Sequence, residues 1–129
     1  MKNGSQSPKN NPRQVLGRLG EERAAAFLVE KDFVCLARNW RSRAGEIDLI
    51  VERGREIRFV EVKTRRTWTY GAPEEAVTRQ KLAHLRATAE AWIAAQSFTS
   101  LRAFQFDVIT IFLPGTPKEQ VTWIQDVIN

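Results

Sequence analysis

Residues 45–64 read G-E-I-D-L-I-V-E-R-G-R-E-I-R-F-V-E-V-K-T. Two apolar runs flank a Gly-Arg pair, and the second run ends in F-V-E-V-K-T, where Glu61 and Lys63 interrupt what otherwise has the composition of a buried strand. Side chains in a strand alternate between faces, so Phe59, Glu61 and Lys63 share one face while Val60 and Val62 share the other. A solvated outer face would account for a lone Glu-x-Lys triplet. The hairpin allows a sharper reading. If Gly54-Arg55 is a two-residue loop, with glycine at the first central position of a type II′ turn, then Arg53 faces Glu56. Counting back from there sets Asp48 opposite Glu61 and Glu46 opposite Lys63. A longer loop or a bulge at residues 53–56 would shift that register.

Directly opposed Cβ atoms in such a pair are about 4.5–5.5 Å apart, and like charges at that distance repel. A purely structural sheet avoids the arrangement. A divalent cation removes the conflict, because Mg²⁺ (or Mn²⁺) accepts hard oxygen ligands from one or two carboxylates and completes its shell with water. Asp48 and Glu61 are therefore the candidate metal ligands. Lys63 beside them has the chemistry to orient a water or a phosphate and to offset transition-state charge in phosphodiester hydrolysis. Glu46 and Lys63 also read as a plain cross-strand ion pair.

Outward from the hairpin, apolar and small residues at helical spacing (Leu16, Leu19, Gly20, Ala24, Phe27, Leu28) predict a first helix over 15–31 that packs closely on a sheet. Residues 33–41 predict a strand. Thr78 is the expected N-cap of a second helix reaching about residue 96, with Leu82, Leu85, Ala89 and Trp92 as its apolar stripe. Residues 103–112 predict a fourth strand, and 120–127 an edge strand. The expected order is α-β-β-β-α-β-β, an α/β fold. At 129 residues, 43% of them hydrophobic, the chain suits one domain with one core. Residues 1–13 hold little to bury and are expected to be a mobile basic tail, leaving 14–129 as a single domain. That opening lacks the apolar core of a signal peptide, and no run reaches the ~20 apolar residues of a membrane span. Cys35 is the only cysteine. It excludes an internal disulfide and a cysteine-built zinc site, fits a reducing cytoplasm, and is expected to be a small core residue.

The net charge is +5. Much of the excess arginine lies in R-N-W-R-S-R (38–43) and K-T-R-R-T-W-T-Y-G (63–71), where cations alternate with aromatics. Arg38, Arg41, Arg43, Arg65 and Arg66 suit phosphates, and Trp40, Trp68 and Tyr70 suit stacked bases. His84, the single histidine, falls with Lys81 and Thr88 on the expected polar side of the second helix. Asp107 lies in the apolar run F-Q-F-D-V-I, where a carboxylate needs a partner, and reads as structural.

The pattern Asp48, then Glu61-x-Lys63 across a hairpin, after a helix carrying an acid, resembles the PD-(D/E)xK nuclease superfamily, whose fold is restriction-endonuclease-like. A closer resemblance is to the YraN-like family of small uncharacterised bacterial proteins. It is carried by G20-E21, R38-N39-W40, G45-E46-I47-D48-L49-I50, F59-V60-E61-V62-K63-T64-R65, K81 and F106-D107-V108, over residues 16–112. Archaeal Holliday-junction resolvases share its size and element order. The resemblance implies an αβββαβ core with a mixed sheet of about five strands flanked by helices, and an endonuclease whose catalytic set is Glu21, Asp48, Glu61 and Lys63. It also implies a phosphate contact at Lys81, for which a solvated lysine is the alternative. Ile47 stands where the superfamily has its signature proline, a lax position. The helix-one acid is Glu21 or Glu22; Glu21 matches the family's Gly-Glu pair and lies on the seam of Gly17, Ala24 and Leu28, so it is the expected one. The expected partner is nucleic acid, DNA in preference to RNA. Symmetric two-strand cutting by resolvases adds a homodimer to the expectations, and a weakly catalytic nucleic-acid-binding module on the same fold is the alternative.

Overall fold

The computed structural model describes residues 11–66 and 78–128. Helix α1 spans Pro12–Glu30, β1 Val34–Ser42, β2 Gly45–Arg53, β3 Glu56–Arg65, α2 Arg79–Ala94, β4 Ala103–Phe112 and β5 Gln120–Ile124. The strands form one five-stranded mixed sheet in the order β1-β2-β3-β4-β5. All pairs are antiparallel except β3 with β4, which is parallel and joined through α2. No helix among the described residues is long and apolar enough to cross a membrane.

Local chemistry explains the elements. Asn11 caps α1 by accepting the Arg13 N–H at 2.8 Å, and Pro12 occupies the first turn, where its missing N–H costs nothing. The helix therefore begins earlier than its apolar periodicity indicates, and Pro12 and Arg13 are helical instead of belonging to a tail. Thr78 caps α2 by accepting the Lys81 N–H at 3.2 Å. Gly54 has φ +63 while Arg55 keeps a negative φ, as a type II′ turn requires. Arg53 accordingly pairs with Glu56, and the count from the turn holds through Leu49↔Val60. The last strand ends at Ile124, sooner than its apolar pattern indicates, and it lies at the sheet edge.

Each face of the sheet buries a helix. Ala24, Ala25 and Leu28 of α1 pack with Leu49, Val51, Val60, Ile109 and Ile111. Leu85, Ala89 and Trp92 of α2 pack with Ile47, Ile50, Ile57 and Phe59 on the opposite side. Phe59 meets Trp92 edge-on with ring centroids 5.6 Å apart. Gly20 lets α1 approach β3 closely, since a Cβ there would collide with the Thr64 side chain. Thr88 is fully buried, contrary to its expected place on the polar side of α2 with His84 and Lys81, both of which are exposed. Its hydroxyl donates to the His84 carbonyl at 2.7 Å, which satisfies it inside the helix. Cys35 is half-buried at the margin of the α1-side core.

Asp107 is fully buried and fully partnered: Arg58 Nη1 and Trp123 Nε1 each donate to Oδ2 at 2.9 Å, and the Asp126 N–H donates to Oδ1 at 2.9 Å. Arg58, itself buried, also reaches Gln125 at 2.8 Å. This network ties β5 and the segment after it to the middle of the sheet.

Candidate active site

The sheet forks at one end. β2 and β3 stop pairing at Leu49↔Val60, yet β2 stays paired with β1 as far as Gly45 and β3 stays paired with β4 as far as Arg65. The side-chain alternation breaks at the same level. Ile47 and Ile50, three positions apart, both join the α2-side core, as do Ala37 and Trp40 on β1. Asn39, which lies between the pairs Arg38↔Leu49 and Trp40↔Ile47, has φ +51, a left-handed conformation that asparagine tolerates better than most residues.

Asp48 sits in this irregularity, and its Oδ2 accepts the Val62 N–H at 2.8 Å. The simple count had Asp48 and Glu61 as a directly opposed ladder pair. Instead the ladder ends one pair short and a carboxylate takes the place of a backbone acceptor. The two acids remain electrostatically coupled: burial first, and then the Glu61 charge, push the Asp48 carboxyl up to about 7, against the opposing pull of the Val62 N–H bond. Glu21 and Glu46 add smaller pushes in the same direction.

Glu21 comes to this place from α1. Burial raises its carboxyl above the ordinary range, opposed by a hydrogen bond from Asn39 and raised further by Glu46 and Glu61. Glu22 is exposed and pairs with Arg38 at 3.2 Å. Helix rotation sets the two acids about 100° apart, and the docking of α1 on the sheet turns Glu21 to the site.

Lys63 takes a different partner from the expected one. Its Nζ lies 2.9 Å from Glu61 Oε2 on the same strand, whereas Glu46 pairs with Arg41 at 3.3 Å across the β1–β2 hairpin. The divergence of β2 from β3 explains the exchange, since it removes Glu46 from the position facing Lys63. Burial works against the Lys63 charge, but hydrogen bonding with Lys81 and Glu61 and the charges of Glu61 and Asp48 leave its ammonium more strongly protonated than usual. Lys81, in the first turn of α2, is brought alongside, and the hydrogen bond with Lys63 followed by burial lowers its own pKa. Asn39 and the Val62 N–H are the members that sequence reasoning did not single out for this site. The left-handed tolerance of asparagine in R-N-W was the available signal for the first; no side chain advertises the second.

The proposed nucleic-acid contacts divide by position. Arg41, Arg43 and Arg66 are exposed, Arg65 is half-buried with Nη1 donating to the Thr64 carbonyl at 3.0 Å, and Trp40 packs partly buried against the α2-side core. Trp68 and Tyr70 lie outside the described residues. Among the described residues, no three Asp, Glu, His or Cys side chains are grouped closely enough to hold an ion by themselves. The donor set is thus two carboxylates with a lysine beside them. That fits Mg²⁺, which keeps several waters and uses one or two protein carboxylates, better than ions bound in all-protein cages.

The sequence profile of the uncharacterised protein family UPF0102 matches residues 20–111, the stretch that carries every element of this site. The chain belongs to that family. It is the YraN-like family whose motifs the sequence displays. A UPF0102 protein of Rhodococcus opacus (strain B4) is 43% identical over 112 residues, covering 87% of this chain and 94% of the relative. One from Trichlorobacter lovleyi is 45% identical over 117 residues, covering 90% and 91%. One from Caldicellulosiruptor bescii is 41% identical over 114 residues, covering 88% and 93%.

Proposed function

We propose that this protein is a divalent-metal-dependent endonuclease that hydrolyses phosphodiester bonds in structured or single-stranded DNA, in the manner of junction resolvases. The observation that supports the reading is the Asp48–Glu61–Lys63 cluster at the sheet fork, where burial and then the Glu61 charge push the Asp48 carboxyl up to about 7. A fold alone has no use for such a cluster, and strongly perturbed titratable groups gather at functional sites. Asp48 and Glu61 would hold Mg²⁺ or Mn²⁺, which supplies a lower pKa to a bound water and neutralises phosphate charge. The Lys63 ammonium, kept in place by Glu61, orients a phosphate oxygen or the attacking water. Glu21 Oε atoms, held by Asn39, serve as a proton acceptor at the edge of the cluster. Lys81 adds an amine beside the scissile phosphate, and the exposed arginines hold the flanking phosphates. Symmetric cutting would involve a homodimer, and the single cysteine suits a cytoplasmic DNA substrate.

A catalytically weak nucleic-acid-binding module is the second reading, favoured by the lack of a third grouped metal ligand among the described residues. Labelled branched, single-stranded and duplex DNA incubated with Mg²⁺ or Mn²⁺ separates the two. An endonuclease cleaves at least one of them, Asp48→Ala abolishes both cleavage and calorimetric Mn²⁺ binding, and Glu46→Ala weakens metal binding less. Wild type that binds these DNAs and cuts none is a binding module.

A further inference from the structure

Two cavities flank Glu21 and share a wall. One, of about 410 Å³, lies between the opening turns of α1 and the end of β3, with Arg13, Lys63 and Arg65 in its lining. The other, of about 470 Å³, lies between α1 and the β1–β2 hairpin, with Arg18, Asn39 and Arg41 in its lining. Gly17 and Glu21 belong to both.

Among the described residues, Gly17 is the glycine that the fold does not account for. It lies inside α1, where glycine costs more backbone entropy than alanine. Gly20, one turn further on, is needed for the close approach to Thr64, and the glycines with positive φ are Gly45, Gly54 and Gly115. At Gly17 neither reason holds: a Cβ would meet nothing within 4 Å. The missing side chain leaves bare backbone between two cation-bearing hollows. Bare backbone at such a place is what close passage of a ligand chain requires.

We infer that Gly17 is the crossing point of a single nucleic-acid strand, which passes over α1 from the hollow of Arg13 and Arg65 to the hollow of Arg41 and is thereby laid across Glu21. A single strand bends at each nucleotide and can enter both hollows. A duplex, stiff over about 150 base pairs, cannot follow them. The inference rests on the nucleic-acid reading of the same site and narrows its substrate to a single-stranded segment.

The test uses full-length wild type, Gly17→Ala and Gly17→Gln, a labelled single-stranded oligonucleotide and the duplex of the same sequence, with binding followed by fluorescence anisotropy and melting temperature measured alongside. Both variants are expected to melt a few degrees higher, since the helix gains propensity. Gly17→Gln, which fills the crossing, is expected to bind the single strand at least about tenfold more weakly, on the scale of one lost base contact. Its duplex affinity should stay as in wild type. Unchanged single-strand affinity in Gly17→Gln overturns the crossing, as does a lower melting temperature in both variants, or a wild type that binds no single strand. Cleavage is scored separately: a wild type that binds the single strand, loses that binding in Gly17→Gln and cuts nothing supports the crossing and removes the endonuclease reading.

Discussion

The Asp48 carboxylate accepts the Val62 N–H at 2.8 Å across the opening between β2 and β3. A backbone donor that an unbroken ladder would have spent on another strand fixes an acid instead. One carboxylate oxygen is engaged, and the other is left for a proton or a cation.

This placement sets a pH dependence of stability. The folded Asp48 carboxyl titrates near 7 in place of its ordinary 3.8. Between those values the folded protein holds a proton that the unfolded chain has released, so the contribution is fully present below the ordinary value and is lost as pH rises towards 7. The span is roughly three pH units at about 1.36 kcal/mol each, or up to about 4 kcal/mol. Asp48→Asn keeps an oxygen for the Val62 N–H and carries no charge. In urea titrations it should match wild type near about pH 4 and exceed it by a few kcal/mol near about pH 8. Parallel stability curves for the two proteins would show that Asp48 is not coupled in this way.

Lys63 separates turnover from affinity. Lys63→Ala is expected to bind DNA nearly as well as wild type and to cleave it at least ~100-fold more slowly, the scale of one lost electrostatic contact in a transition state. Lys63→Arg should not restore the rate, since a planar guanidinium cannot replace a compact ammonium held 2.9 Å from Glu61. If Lys63→Ala cuts as fast as wild type in single-turnover assays, the Glu61–Lys63 contact is only an ion pair.

The arginines are expected to act through salt. Neutralising Arg41, Arg43, Arg65 or Arg66 singly should weaken DNA binding and reduce the slope of log affinity against log salt by about one each. Folding should hardly respond, because Arg43 and Arg66 are exposed and the Arg41 pair with Glu46 lies at the surface. A slope that stays the same after all four changes would place the binding face elsewhere.

The Asp107 network predicts the opposite pattern. Asp107→Ala leaves Arg58, which is only 5% exposed, without its buried carboxylate, and frees Trp123 and the Asp126 N–H. A loss of about 3–5 kcal/mol in denaturant unfolding is expected. Cleavage per folded molecule should survive, since none of the hydrogen bonds to Asp107 involves Asp48, Glu61 or Lys63. A variant of wild-type stability would mean that the carboxylate does not hold the C-terminal segment in place.

Much of the fold could be read in the chain because its instructions are local. Gly54-Arg55 permits a two-residue turn, the turn sets Arg53 against Glu56, and a strand period of two then carries the register to Leu49 and Val60. Thr78 as a helix cap and the apolar limits of β4 depend likewise on neighbours in sequence. These local features by themselves bring Asp48, Glu61 and Lys63 into one neighbourhood. The counting failed where alternation itself failed, at Asn39 and Asp48, because one left-handed residue in the neighbouring strand is invisible to a count made along β2 and β3.

Partner choice was decided by the tertiary structure. Lys63 prefers Glu61 to Glu46 only because β2 veers away from β3, Glu21 and not Glu22 enters the site only because α1 docks with Gly20 on Thr64, and Lys81 arrives from α2 on the opposite face of the sheet. Arg58 and Asp107 meet because β3 and β4, 49 residues apart at this contact, lie side by side in parallel. Backbone period and turn chemistry act over a few residues and are written in the local sequence. Electrostatic partners and close helix approach depend on the positions of several elements at once, so the same charges could have been paired differently until the sheet and both helices were in place.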